Sequence, residues 1–211
     1  MGVSWIVNIP MEESRGTQQV LEGLAERLLA LGAEKGGLHN VDCDVYQSMI
    51  TQSPNTVCLM HSTEYPITSF AFLDNNSCLT ADNIIDLIMM KLKALYDARK
   101  NLKVECKGSR FTLQDFVFKT GAVHLTNSNS VLGVLLEVEY LPSVMSSNCL
   151  SLLKEMVQGI VGRPVEIPNY LKLQANENYL PNHTMQQYLE QFNTLKKAHI
   201  SSQGHIPQQQ M

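Results

Sequence analysis

VLGVLLEVEYLP, residues 131–142, is a strand by its alternation, and the rest of the chain has to cover it. In an extended backbone Val134, Leu136, Val138 and Tyr140 point to one side, and Leu135, Glu137, Glu139 and Leu141 to the other. The first set reads as a core face and the second as a polar one. β-Branched and aromatic side chains suit a pleated surface, and Pro142, which has no amide to give a ladder, ends the strand.

The cover is found on either side. Val3 to Ile9 reads as a strand with Trp5, Val7 and Ile9 on one side, stopped by Pro10. Val20, Leu21, Leu24, Leu28 and Leu31 recur at helical spacing between Thr17 and Leu31, and Gly32 is placed to stop that helix. Each leucine buried there contributes about 1.5 to 3 kcal/mol, so the helix is a packing element. Leu38 to Tyr46, Thr56 to His61, Pro66 to Leu73 and Ser77 to Ala81 read as strands, punctuated by Pro54, Asn55, Pro66, Asn75 and Asn76. Their connections are too short for parallel crossovers, so they pair antiparallel.

Asp82 is placed to cap a second helix whose apolar stripe is Ile84, Ile85, Ile88, Leu92 and Leu95. Leu102 to Lys107, Arg110 to Thr120 and Ala122 to Thr126 read as further strands, with bends at Gly108-Ser109 and Gly121. A third helix begins at Ser147, carries Leu150, Leu153, Met156, Val157, Ile160 and Val161, and stops at Gly162 and Pro164. Arg163 to His183 reads as a long loop, after which Thr184 caps a last helix with Met185, Tyr188, Leu189, Phe192 and Leu195 on one face. The sum is a single α+β domain over residues 1–199, an antiparallel, barrel-like sheet flanked by amphipathic helices. Closure would remove the sheet's edges. Residues 200–211 form a polar tail with too little apolar content to order itself.

Composition narrows the function classes. In 211 residues, 44% hydrophobic residues suffice for one sizeable core. Sixteen basic against twenty acidic residues give a net charge of -4 with no basic block, which disfavours direct nucleic-acid binding. Cys43, Cys58, Cys78, Cys106 and Cys149 are odd in number and contain no C-x-x-C, so reduced, mostly buried thiols are expected. Asp86 interrupts the nearest approach to a membrane span. The N-terminus lacks the pattern of a secretory signal, and Ile6 stands where a myristoylation motif needs Ser or Thr, so the chain reads as intracellular.

Three constellations are candidates for chemistry. Glu137 and Glu139, at i and i+2 on one strand, face the same way and have the spacing to hold a divalent ion inside a barrel; Asp42 and Asp44 repeat the arrangement. Triphosphate hydrolysis would also need several inward basic groups, and the strands offer chiefly Lys107, Arg110 and Lys119. The acidic pairs therefore read as solvated or hydrogen-bonded, not metal-binding. His39 and His61 lie near Cys43 and Cys58 in sequence, but without a third, orienting group they read as ordinary core or surface residues. Gly36-Gly37, Gly159 and Gly162 match no phosphate-binding loop and read as turn or helix-end residues.

A resemblance adds what periodicity does not. The blocks that carry it are MGVSWI at the start, LGAEKGG at 31–37, VDCDVYQ at 41–47, MHSTEYPITSFAF at 60–72 and CLTADNIIDLIMMKLK at 78–93. GSRFTLQDFVFKTGAV at 108–123, LLEVEYLP at 135–142, SNCLSLLKEMVQGIVG at 147–162 and TMQQYLEQFNTLKK at 184–197 complete them. In this order and spacing they resemble the Mediator subunit 20 (TRF-proximal protein) family of the RNA polymerase II coactivator. The resemblance implies a helix-flanked antiparallel barrel related in fold to Mediator subunit 18 and similar to the tunnel triphosphatases. It further implies a nuclear, non-enzymatic subunit of the Mediator head module, without cofactor or metal. The partners it implies are subunit 18, as a heterodimer, the C-terminal region of subunit 8, and RNA polymerase II through the assembled module. Resemblance is weakest over 163–183 and the tail, and nothing is carried onto them.

Overall fold

Both faces of the 131–142 strand are buried, so the sheet it belongs to is covered on two sides. The structure, a computed structural model, describes residues 2–11, 16–50, 55–74, 77–127, 130–173 and 177–203. In chain order its elements are β1 (Val3–Ile9), α1 (Thr17–Ala30), β2 (Glu34–Ser48), β3 (Thr56–Ser62), β4 (Thr68–Leu73), β5 (Cys78–Asp82), α2 (Ile84–Lys91) and β6 (Tyr96–Ala98). They continue with β7 (Val104–Leu113), β8 (Phe116–Leu125), β9 (Val131–Tyr140), α3 (Leu150–Val161), α4 (Asn169–Leu173) and α5 (Pro181–Gln203).

All nine strands join one antiparallel sheet in the order β1-β9-β8-β7-β2-β3-β4-β5, with β6 on the end of β2. Two meanders, β2 to β5 and β7 to β9, are fused through the long β2–β7 pairing, and the N-terminal strand is added to β9. The outer face of the β1-β9-β8 half carries Trp5, Val7, Leu136, Val138 and Phe118, which pack on Leu24 and Leu28 of α1 and on Leu153, Val157 and Ile160 of α3. The inner face carries Ile6, Val41, Cys43, Met60, Phe70 and Leu135, which pack on Met185, Tyr188, Phe192 and Leu195 of α5. A smaller core on the outer face of the other half joins Val57, Leu59 and Ala71 to Ile85 and Met89 of α2.

The fold is the expected helix-flanked, barrel-like α+β sheet, and it stays open. Among the described residues no pairing joins β1 to β5, the two ends of the strand order. Helix α5 touches both β1 and β4 and occupies the concavity. The β1 edge is not left bare, because Gln187 of α5 behaves as a piece of strand. Its side-chain oxygen accepts from the Ile6 amide at 2.9 Å and its nitrogen donates to the Ser4 carbonyl at 2.9 Å.

Local expectations differ from the structure in identifiable ways. Gly108 and Gly121 are not bends; they face each other across β7 and β8, where a Cβ on Gly108 would overlap the Thr120 carbonyl, and the true hairpin turn uses Gln114 at φ 50°. Gly36-Gly37 is not a turn but the site of a register shift within β2. Helix α2 ends at Lys91 rather than Leu95, because the chain turns back at Leu92 to lay β6 against β2. Thr184 does not cap α5, which starts at Pro181, a residue suited to a first helical turn; its buried hydroxyl pairs with that of Tyr179 at 2.9 Å. The 163–183 stretch contains α4 as well as that start, with Leu171 buried. Gly32 and Gly162 do end their helices in the left-handed region, at φ 89° and 76°. Pro54, Asn75, Asn76 and tail residues 204–211 lie outside the described residues, while 200–203 belong to α5.

Candidate interaction surface

The acidic residues singled out by spacing come first. Because Leu135 and Glu137 share a face, Glu137 is carried into the interior, where it is 1% exposed; Glu139 follows at 7%. Neither is solvated. Lys119, opposite Glu137 in the β8–β9 register, places its ammonium 2.9 Å from Glu137 Oε1 and 3.4 Å from Glu139 Oε2, with Glu64 at 3.8 Å. Ser4 Oγ donates to Glu137 Oε1 at 2.9 Å and Tyr188 of α5 to Oε2 at 2.7 Å, while the Gly2 amide donates to Glu139 Oε1 at 2.9 Å. Burial alone would raise the Glu137 carboxyl, but Lys119 beside it holds it below its ordinary range. Burial likewise opposes the charge on Lys119, and Glu137 with Glu139 outweigh it and push its pKa up. Both carboxylates are thus paired with Lys119, and Glu137 is closed over by Tyr188 of α5.

His39 extends the chain of contacts. Its Nε2 lies 2.9 Å from the Tyr188 hydroxyl, whose proton is given to Glu137, so the imidazole is the donor at Nε2. Burial lowers its pKa to about 4, which keeps the ring neutral. His61 meets different partners: Asp42 at 3.4 Å through Nδ1 and Asp86 of α2 at 3.2 Å through Nε2. Neither histidine is hydrogen-bonded to a thiol. The Cys43 and Cys58 thiols are diagonal neighbours across β2 and β3 and interact with each other instead, and all five cysteines are free.

Asp42, Asp44 and His61 sit close enough to share a cation. The Lys103 ammonium already stands there, 2.9 Å from Asp44 and 3.9 Å from Asp42. Since Val41 and Cys43 point to the α5 side, Asp42 and Asp44 point to the opposite face from Glu137 and Glu139. The two acidic pairs do not meet in one site. Lys107 pairs with Glu105 and Arg110 with Glu64, so neither basic residue extends a polyphosphate tunnel.

What the structure leaves uncovered is apolar. Helix α2 buries only Ile85 and Met89, and Ile84, Leu87, Ile88 and Met90 remain 47 to 60% exposed. Beside Ile84 and Ile88, Leu73 of β4 and Leu79 of β5 are also exposed, and these four line an open groove of about 510 Å³ together with Val57, Ala81, Leu92 and Tyr96. Leu95 and Met49, past the end of the helix, are exposed as well and are tied to each other by a 2.8 Å main-chain bond. Patches on monomers seldom exceed a few hundred Å², and larger ones mark interaction surfaces. The stripe assigned to this helix by spacing placed Ile84 and Ile88 in the core. The signal for the alternative was present in IIDLIMM, which is apolar on every side and so needs cover on more than one.

The family described as TATA-binding related factor (TRF) of subunit 20 of Mediator complex matches residues 1–193. The chain belongs to the Mediator subunit 20 family. It is 37% identical to Mediator of RNA polymerase II transcription subunit 20 of Gallus gallus over 203 residues, covering 93% of this chain and 95% of that one. The Homo sapiens protein of the same name is 37% identical over 204 residues, with 93% and 95% coverage, and that of Drosophila melanogaster 34% over 230, with 97% and 89%. Among solved structures, the PH1012 protein of Pyrococcus horikoshii superposes with a TM-score of 0.45 at 15% identity, covering 81% of this chain and 99% of that one. The inorganic triphosphatase NE1496 gives 0.30 at 14%, covering 67% and 74%. Family membership makes the chain a Mediator subunit that acts in regulating transcription by RNA polymerase II.

Proposed function

We propose that this chain is a non-enzymatic subunit of the Mediator head module that pairs with Mediator subunit 18 through the apolar face of α2 and its neighbouring strands. Residues 1–199 act as one barrel domain, the C-terminal region of subunit 8 tethers the pair, and RNA polymerase II is reached through the assembled module rather than through nucleic acid. The observation that carries this reading is the uncovered face of α2, with four large apolar side chains about half exposed on an eight-residue helix. Without a basic cluster to address it, the chain enters the nucleus with its partners. A metal-dependent triphosphate hydrolase using Glu137, Glu139, Asp42 and Asp44 would need these groups to converge, and they lie on opposite faces of the sheet with lysines already between them.

Co-expression with subunit 18 from the same source, followed by size-exclusion chromatography with light scattering, tests the proposal. A stoichiometric complex is expected, lost on Ile88→Asp even at partner excess, whereas Glu137→Gln with Glu139→Gln, which strips the buried Lys119 of two carboxylates and leaves the α2 face untouched, should still pair once partner is in excess. Separate elution of the two wild-type chains at mild salt would overturn it.

A further inference from the structure

The two ends of the strand order are finished differently. The β1 edge is occupied, since Gln187 satisfies the outward amide of Ile6 and, with the Tyr179 hydroxyl at 3.2 Å, the outward carbonyl of Ser4. At the other end, among the described residues, β5 is paired on one side alone. The Leu73 amide bonds the Ser77 carbonyl, so in the alternation of an antiparallel ladder Leu79 and Ala81 exchange bonds with β4. The main-chain groups of Cys78, Thr80 and Asp82 therefore face outward. Open edges in soluble proteins are ordinarily blunted by lysine, proline or a covering element, and CLTAD has neither lysine nor proline. The same strand borders the uncovered apolar groove, toward which Leu79 and Ala81 point.

We propose that β5 is a strand acceptor: the partner supplies an extended segment that hydrogen-bonds to the outer edge of β5 and sets alternate apolar side chains against Leu79, Ala81 and α2. This rests on the pairing reading above and specifies its mode. A groove alone would suit an amphipathic helix, but a helix leaves the row of β5 amides and carbonyls unsatisfied once the contact excludes water, whereas an added strand satisfies them.

Thr80→Pro is the discriminating variant, because it removes an outward donor and leaves the bonds of Leu79 and Ala81 to β4 in place. In the co-expressed complex with subunit 18, the wild type should show slowed hydrogen exchange at the Cys78, Thr80 and Asp82 amides relative to the free chain. Thr80→Pro should weaken pairing by about tenfold or more while leaving the melting temperature of the free chain nearly unchanged. Loss of pairing with Ile88→Asp alone, with β5 amides still exchanging freely in the wild-type complex, would overturn strand addition and leave the pairing surface standing, occupied by a helix. Pairing that survives both variants would overturn the surface itself. Exchange protection of β5 in the chain alone, rising with its concentration, would mean that a second copy takes the edge and would also overturn the proposal. The exchange measurement on wild type decides the matter if Thr80→Pro fails to fold.

Discussion

Replacing Lys119 by Met should be among the costliest single changes in this protein, and the reason lies in what it would leave behind. The side chain is 4% exposed and lies 2.9 Å from a carboxylate that is 1% exposed. Removing one member of such a pair strands a charge that burial opposes, for which about 3 to 5 kcal/mol is the usual loss. The hydroxyls of Ser4 and Tyr188 still donate to Glu137, and the Gly2 amide to Glu139, so the lower half of that range is expected. Part of the penalty can be relieved by protonating a carboxyl, so the loss should be larger at pH 8 than at pH 5. Adding Glu137→Gln should recover part of it, because the more deeply buried of the two stranded carboxylates is then gone and Glu139 keeps the Gly2 amide. Trp5, the single tryptophan, is 1% exposed on β1 and reports unfolding in urea by its fluorescence. The midpoint should fall with little change in slope. A loss under about 1 kcal/mol, the range of surface pairs, and independent of pH would refute the account of Lys119 as the counter-charge of a dry cluster.

Three further outcomes are expected. His39 has a folded pKa of about 4 against an ordinary 6.5, so as pH falls the unfolded chain takes the proton first; stability present above pH 6.5 is lost between 6.5 and 4, by up to roughly 3 kcal/mol. Urea midpoints at pH 7, 5.5 and 4.5 for wild type and His39→Gln check this, and equal slopes for the two would contradict it. Gln187→Ala strips the β1 edge of its substitute strand and should cost about 1 to 3 kcal/mol while speeding exchange of the Ile6 amide. Gly108→Ala drives a Cβ into the Thr120 backbone and should cost more than about 3 kcal/mol, whereas Gly159→Ala, in open space on α3, should raise the melting temperature through a gain of up to about 1 kcal/mol.

The strands were legible because alternation fixes which side chains share a face, and Trp5, Val138 and Phe70 are placed as that rule requires. The first meander, β2 to β5, followed from short connections, whereas the second was cut at Gly108 and Gly121, which lie inside β7 and β8. What the sequence could not carry was cover. The polar-looking face of β9 became interior once α5 lay across it, and nothing local to Glu137 and Glu139 announces that Lys119 and Tyr188 will meet them. Gln187 is invisible for the same reason, since an amide that completes a sheet edge looks like any polar residue on a helix. The error at α2 ran the other way: a periodic stripe says which residues want burial and is silent on whether this chain or another supplies it.

This division has an energetic consequence. The polar lock joins β8, β9 and α5, while the uncovered apolar surface lies on β5 and α2, and residues such as Lys119 and Ile88 share no partner. Their effects should add. A variant of the lock would then reduce pairing only by reducing the folded fraction, and excess partner would restore it, because a ligand that binds the folded state stabilises that state by RT ln(1 + [L]/Kd). A variant of the surface changes Kd itself, so at a partner excess that fully rescues Lys119→Met, Ile88→Asp should still be unbound. The two classes separate on a single titration, and a lock variant that resisted rescue would mean that the interior and the α2 face are mechanically coupled after all.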